Sequence, residues 1–190
     1  VIVARSTAGE VCAFPATENV HVDNILRLSI APARVTAEIA AEAERIAIRL
    51  AESLDVVGLL AVEMFVAPGG RLLVNELAPR PHNSGHWTME ACITSQFEQH
   101  VRAICGLPLG RTGMLSSVVM ANVLGEHVEP VIRWFSSPAD PSDDGGDVDA
   151  KLHLYGKHQA RRGRKMGHVN VLAADIEAAL AWVERSPLWG

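Results

Sequence analysis

At 190 residues, with 48% apolar and 21% charged side chains, the chain has the composition of an ordinary globular protein with a real core, which excludes disorder and the stapled miniprotein class. Its net charge of −5 removes any general attraction to nucleic acid or to an anionic membrane, so an anion site has to be local. The three cysteines, Cys12, Cys92 and Cys105, are odd in number and far apart in apolar company, which suits buried thiols rather than disulfides or a metal knuckle.

No window reaches the ~18 to 20 apolar residues of a membrane span, and no basic-then-apolar signal opens the chain. Cytoplasm is the expected compartment. The sequence starts without methionine, in the strand-like run Val1 to Arg5, so an upstream portion is expected to be missing.

Val1 to Arg5 and Glu10 to Ala16 read as a β-hairpin across Ser6 to Gly9. Residues 17 to 34 show less regularity. After Pro32, the residues Ile39, Ala43, Ile46, Ala47, Leu50 and Leu54 recur at three- and four-residue intervals, predicting a helix with one apolar face on a sheet. Leu59 to Val66 and Arg71 to Leu77 read as strands joined by Ala67-Pro-Gly-Gly70, a strong hairpin signal. Pairing Val66 with Arg71 would set Glu63 opposite Val74 and bring Glu76 to the same face as a diagonal neighbour. A slip of one residue would send the two acids to opposite faces.

Ser95-Gln-Phe-Glu98 forms a capping-box pattern. The helix it opens runs to Cys105, with Phe97, Val101 and Ile104 as its apolar members and Gly106 and Pro108 as stop signals. Beyond residue 112 a small α+β part is expected: a strand over Leu115 to Leu124, a short helix over Pro130 to Phe135 and an acidic loop over Ser136 to Asp149. Strands over Lys151 to Tyr155 and His168 to Ala173 and a helix over Asp175 to Arg185 complete it.

Three constellations could carry chemistry. Glu63 with Asn75 and Glu76 would place two acids on apolar strands, a costly arrangement unless something positive meets them, and Mg²⁺ favours such hard oxygen ligands. A solvated hairpin face would explain the same residues. In Pro79 to Ser84, two prolines fix φ on either side of Arg80, giving a stiff loop that presents Arg80, His82, Asn83 and Ser84 to an anion, or else a purely structural turn. The run Lys157 to His168 concentrates Lys157, Arg161, Arg162, Arg164 and Lys165 around a glycine. It suits a phosphate group; nucleic acid lacks the support of aromatic interleaving, and a solvated hairpin tip stays open.

Taken in order, Glu18 to His21, Ser29 to Pro32, Ala61 to Phe65, Asn75 to His86, Ser95 to His100 and Lys151 to His168 resemble 5-(carboxyamino)imidazole ribonucleotide synthetase, the ATPase subunit of phosphoribosylaminoimidazole carboxylase. The resemblance runs almost end to end, and the string NELAPRPHNSGH is its most specific part. It implies an α+β fold: residues 1–111 as the C-terminal portion of an ATP-grasp domain, an antiparallel sheet with packed helices, and residues 112–190 as a small C-terminal subdomain. The family's N-terminal nucleotide-fold domain and small ATP-grasp lobe have no counterpart in this sequence.

The resemblance further implies use of Mg-ATP to phosphorylate bicarbonate, and transfer of the carboxyl group from carboxyphosphate to the amine of 5-aminoimidazole ribonucleotide. Glu63 and Glu76 would bind Mg²⁺, or Mn²⁺, with Asn75 and Glu76 beside the ATP co-substrate. Arg80, His82 and Asn83 would be catalytic and, with Ser84, would contact substrate, while Lys157 and Arg164 would take the ribonucleotide 5′-phosphate. A homodimer is expected, and so is an inactive half-site for this chain alone. Two rivals remain: another ATP-grasp ligase acting on a different amine, such as a formate-dependent glycinamide ribonucleotide transformylase, and a folded non-catalytic binding fragment.

Overall fold

In the computed structural model, which describes residues 1–137 and 148–188, the chain forms two compact units. Val1–Glu18 with Ala31–Leu115 make the first, and Asn19–Ile30 with Ser116–Gly190 make the second. The partition is discontinuous in sequence, whereas composition pointed to a single cut near residue 112.

The strands are β1 (Ile2–Arg5), β2 (Val11–Ala13), β3 (Glu18–Val22), β4 (Ile25–Ala31), β5 (Gly58–Val66), β6 (Leu72–Ala78), β7 (Ser117–Leu124), β8 (Val148–Leu154) and β9 (Lys165–Ala173). The helices are α1 (Ala37–Ser53), α2 (Thr88–Ala91), α3 (Gln96–Ile104), α4 (Val128–Phe135) and α5 (Ile176–Arg185). Most of the acidic loop expected over Ser136 to Asp149 lies outside the described residues, and its last two positions open β8.

The first unit is built on the sheet β2-β1-β5-β6. β1 pairs antiparallel with β2 and with β5, so the run Ile2 to Ala4 is central and buried. α1 starts where Thr36 caps it by accepting from the N–H of Ile39. It buries Ala43, Ala47 and Ala51, and Ala47 and Ala51 join Val3, Leu60 and Val62 in one core cluster. Leu54, counted in the apolar pattern, instead caps the helix and stays exposed.

The second unit is built on the sheet β3-β4-β7-β9-β8. β9 is central and buried along nearly its whole length, as expected for a strand paired on both sides, with β7 and with β8. α4 and α5 contribute Val131, Ala179, Trp182 and Val183 to its core, and Trp134 stacks on Trp182 with ring centroids 4.8 Å apart.

Four sequence expectations need correction. Residues 17 to 34 are regular: β3 and β4 form a hairpin whose two turn residues, Asp23 and Asn24, both have positive φ, 50° and 62°. This is the type I′ geometry, made here without the glycine that usually signals it. The capping box at Ser95 is half made. The Ser95 hydroxyl accepts from the N–H of Glu98 at 3.2 Å, while the Glu98 carboxylate pairs with Arg102 one turn on, at 2.7 Å. α3 also turns the opposite face inward: Gln96, Gln99 and Ala103 are buried, and Phe97, Val101 and Ile104 are 39%, 52% and 47% exposed. Finally, Cys105 is exposed; only Cys92 is fully buried, and Cys12 is intermediate. Burial pushes the Cys92 thiol up to about 12, so it is no nucleophile.

Burial of His127 makes the second unit sensitive to acid. Its Nδ1 accepts from the N–H of Leu124 at 3.3 Å, which requires the neutral ring. Burial, and secondarily the nearby Arg27, lower its pKa. A base depressed in the folded state gives full stability above its unfolded value of about 6.5, and loses it as pH falls through the folded value. Urea unfolding followed through Trp134 and Trp182 should therefore show stability falling between pH 7.5 and pH 5. His127→Gln should flatten that slope.

Candidate active site

The turn between β5 and β6 decides where Glu63 and Glu76 point. The N–H of Ala67 donates to the carbonyl of Arg71 at 2.8 Å, closing a three-residue turn in which Gly69 and Gly70 have φ of 80° and 79°. Val66 then pairs with Leu72 rather than with Arg71, Phe65 with Leu73 and Met64 with Val74. Continued unbroken, this register would set Glu63 opposite Asn75 and send Glu76 to the other face. Instead the register shifts between Met64 and Glu63, and Glu63 pairs directly with Glu76. Asn75 is the extra residue of a β-bulge. The two carboxylates share a face, as expected, but through a different register and as direct rather than diagonal neighbours.

The loop after β6 is braced from behind by α3. The side-chain oxygen of Gln96 accepts from the N–H of His82 at 2.9 Å, and its Nε2 donates to the His82 carbonyl at 2.8 Å. One amide side chain thereby pairs with both backbone groups of His82, as a neighbouring strand would. The same Nε2 lies 2.8 Å from Nδ1 of His86. Gln96 is itself held, its N–H donating to Thr88 Oγ1 at 2.9 Å while that hydroxyl donates to the Gly85 carbonyl at 2.7 Å. Gln96 and Thr88 are fully buried. A Cβ at Gly85 would fall 2.1 Å from Ile2 Cδ1 and 2.8 Å from Gln96 Oε1, so a larger residue there would push both side chains aside.

This bracing orients the His82 ring. Its Nδ1 lies 2.8 Å from Ser84 Oγ and accepts from the Ser84 N–H at 3.4 Å, which assigns the proton of the neutral ring to Nε2. Nε2 faces Glu63 Oε1 at 3.8 Å, with the two side chains 12% and 23% exposed. Asn83 and Ser84 lie in the short turn Asn83–Gly85 that His82 caps, with Ser84 buried, and Arg80 is exposed, its Nη1 donating to the Pro81 carbonyl at 3.2 Å. The first unit thus gathers Glu63, Asn75, Glu76, Arg80, His82, Asn83 and Ser84 on one strand pair and the loop that follows it. Gln96 and Thr88 were missed in the sequence; a Gln at the first position of a capped helix was the available signal.

Lys157 and Arg164 lie in the second unit, in the connection between β8 and β9, and both are exposed. Lys157 Nζ donates to the Lys165 carbonyl at 2.6 Å and Arg164 Nη1 to the Gln159 carbonyl at 3.2 Å. Lys157 also sits 5.3 Å from the centroid of the Tyr155 ring, whose hydroxyl lies 2.9 Å from Nδ1 of the buried His168.

The donor set fits magnesium in one respect. Glu63 and Glu76 offer hard oxygens on one face, and among the described residues no three His, Cys, Asp or Glu side chains group to hold a metal. A cation there would have to complete its shell with water and ligand oxygens, the habit of Mg²⁺ at nucleotide sites. The brace is open to test on its own. Gln96→Leu orphans the N–H and carbonyl of His82 and should cost roughly 2–6 kcal/mol, at ~1–3 kcal/mol per stranded buried group, read as a lower urea midpoint at an unchanged slope.

Comparison with known proteins places this geometry. The ATP-grasp domain family matches residues 1–97, and the phosphoribosylaminoimidazole carboxylase C-terminal domain family matches residues 118–181. The N5-carboxyaminoimidazole ribonucleotide synthase of Bacillus subtilis is 52% identical over 172 residues, 90% of this chain and 43% of the relative. The phosphoribosylaminoimidazole carboxylase of Schizosaccharomyces pombe is 44% identical over 91% of this chain and 32% of its own length. Among solved structures, an N5-carboxyaminoimidazole ribonucleotide synthetase in complex with ADP superposes with a TM-score of 0.91 at 53% identity, covering 99% of this chain and 48% of that one. The Aspergillus clavatus enzyme, solved with ADP and 5-aminoimidazole ribonucleotide, gives 0.86 at 34% identity, covering 97% and 48%. The chain therefore spans less than half the length of each of these relatives, and it belongs to the ATP-grasp family, in the branch formed by N5-carboxyaminoimidazole ribonucleotide synthetases.

Proposed function

We propose that this chain supplies the metal-binding and substrate-binding half of an ATP- and bicarbonate-dependent ligase that carboxylates the amine of 5-aminoimidazole ribonucleotide, in purine biosynthesis. The observation that carries the reading is the direct pairing of Glu63 with Glu76 across the bulge, beside a loop whose backbone is locked by a buried amide. The relatives solved with ADP and with 5-aminoimidazole ribonucleotide support it.

In this reading Glu63 and Glu76 hold Mg²⁺, or Mn²⁺ in its place, with the Asn75 amide beside them. The chemistry such an ion would supply there is stabilisation of the ATP phosphate charge while bicarbonate attacks the γ-phosphorus and ADP leaves. Arg80 clamps the bicarbonate and carboxyphosphate oxygens; a guanidinium suits such planar and tetrahedral anions through paired N–H donors. His82 is positioned, through Ser84 and Gln96, with Nε2 near Glu63 and is available to hold or pass a proton as the amine nitrogen bonds to the carboxyl carbon and phosphate departs. Asn83 and Ser84 orient substrate. Lys157 and Arg164 bind the 5′-phosphate, and the working assembly is a homodimer in the cytoplasm.

Two measurements test the division of labour, with this chain joined to the N-terminal half that its relatives carry. Glu76→Gln should abolish bicarbonate-dependent ADP release, while Arg80→Ala should keep nucleotide affinity within a few-fold and lose carboxyl transfer by about 100-fold or more. Equal loss of nucleotide binding in both variants contradicts the assignment. The chain alone should give no bicarbonate-dependent ADP formation, and normal turnover by it would overturn the half-site reading.

A further inference from the structure

We propose that Glu126 is a positioning residue for the anion site of Lys157 and Arg164: its carboxylate tethers the cationic loop through the backbone N–H of Gly163. The inference rests on the reading of that loop as a phosphate site. Nothing in the sequence pattern singled out Glu126, which lies in the turn Gly125–His127 directly after β7.

Three observations converge on that turn. Glu126 Oε2 accepts from the N–H of Gly163 at 2.9 Å. Gly125 lies against the loop backbone so closely that a Cβ there would fall 2.1 Å from the carbonyl oxygen of Arg161 and 2.6 Å from its carbon. The turn is also fixed from its other end, because His127 Nδ1 accepts from the Leu124 N–H at the end of β7. The loop in turn meets Ile25, whose Cδ1 would lie 3.2 Å from a Cβ on Gly163, a residue at φ +73°.

The need for a tether follows from charge. Lys157, Arg161, Arg162, Arg164 and Lys165 fall within nine positions, and their mutual repulsion favours a splayed loop when no anion is bound. A carboxylate paired with the side chains of Lys157 or Arg164 would hold the loop but neutralise the site. Bound to a backbone N–H, Glu126 holds the loop without pairing with Lys157 or Arg164, although Arg162 interacts with it electrostatically. Lys157 and Arg164 bond instead to neutral backbone carbonyls, which aim them and leave their charge to a ligand. The Arg164 N–H donates to the Arg161 carbonyl at 3.0 Å, so the tethered Gly163 lies inside the turn that sets the direction of Arg164. Holding that turn before the ligand arrives lowers the ordering cost of binding.

The test titrates the chain with ribose 5-phosphate by calorimetry, with ribose as control. Wild type should bind the phosphate ester and not the free sugar, and Arg164→Ala should lose that binding. Glu126→Ala should weaken it by about tenfold. Glu126→Gln, which keeps an oxygen acceptor for Gly163 while removing the charge, should stay within about twofold of wild type. Amide exchange at Gly163 should accelerate in the alanine variant only. Unchanged or tighter binding by Glu126→Ala overturns the inference while leaving the phosphate site standing, and so does a glutamine variant as weak as the alanine one. Absence of ribose 5-phosphate binding in wild type, or its persistence in Arg164→Ala, overturns the reading of the loop and the inference with it.

Discussion

One residue too many in β6 sets up the candidate chemistry of the first unit. The three-residue turn of the β5–β6 hairpin would by itself leave Glu63 facing Asn75, with Glu76 on the opposite face of the sheet. Accommodating Asn75 as a bulge brings the two acids directly across from each other. Like charges in that position oppose folding, so the arrangement is a poor choice for stability. It becomes a good one when a divalent cation is shared between the carboxylates. His82 Nε2, able to become positive, stands 3.8 Å from Glu63, beyond the length of a firm hydrogen bond.

What holds His82 there is neutral. Gln96 satisfies the N–H and the carbonyl of His82 together, and a carboxylate or an ammonium in its place would satisfy only one of them and add the cost of burying a charge. This explains why α3 looks inverted. A helix normally buries its apolar stripe, but here the inward positions are taken by Gln96 and by Gln99, which donates to the Gly110 carbonyl and accepts from the Gly110 N–H. The two glutamines repeat one device: an amide side chain stands in for a β-strand wherever a loop without a strand partner has to be buried.

How much could be read from the sequence follows from how far each signal reaches along the chain. The β5–β6 hairpin was legible because Pro68, Gly69 and Gly70 punctuate it locally, and α1 because its apolar spacing persists for four turns. The register was not legible. It depends on whether Ala67 closes the turn and on a bulge eight positions later, and no local preference marks either. The β3–β4 hairpin was hidden because Asp23 and Asn24 adopt positive φ without a glycine, a conformation these two residue types tolerate but do not advertise. The inward face of α3 was misjudged because periodicity locates an apolar stripe without saying that buried hydrogen bonds outrank it. The residues of the Asn75 to Ser84 run were visible because they are unusual as a string; Gln96 and Glu126, which act on backbone from elsewhere in the chain, were not.

Both units treat charge in the same way. In the first, the acids are brought together by strand register and the adjacent loop is braced by a neutral amide. In the second, Lys157 and Arg164 are aimed by bonds to backbone carbonyls, and the Glu126 carboxylate binds a backbone N–H of the loop. None of these bonds uses an opposite side-chain charge. A cluster of like charge is a standing cost to stability. That cost makes sense where the opposite charge arrives with a ligand, as proposed for a magnesium ion and phosphates at the acidic pair and for a phosphate ester at the basic loop. The chemistry proposed for the chain therefore rests less on any single side chain than on the neutral groups that position the charged ones.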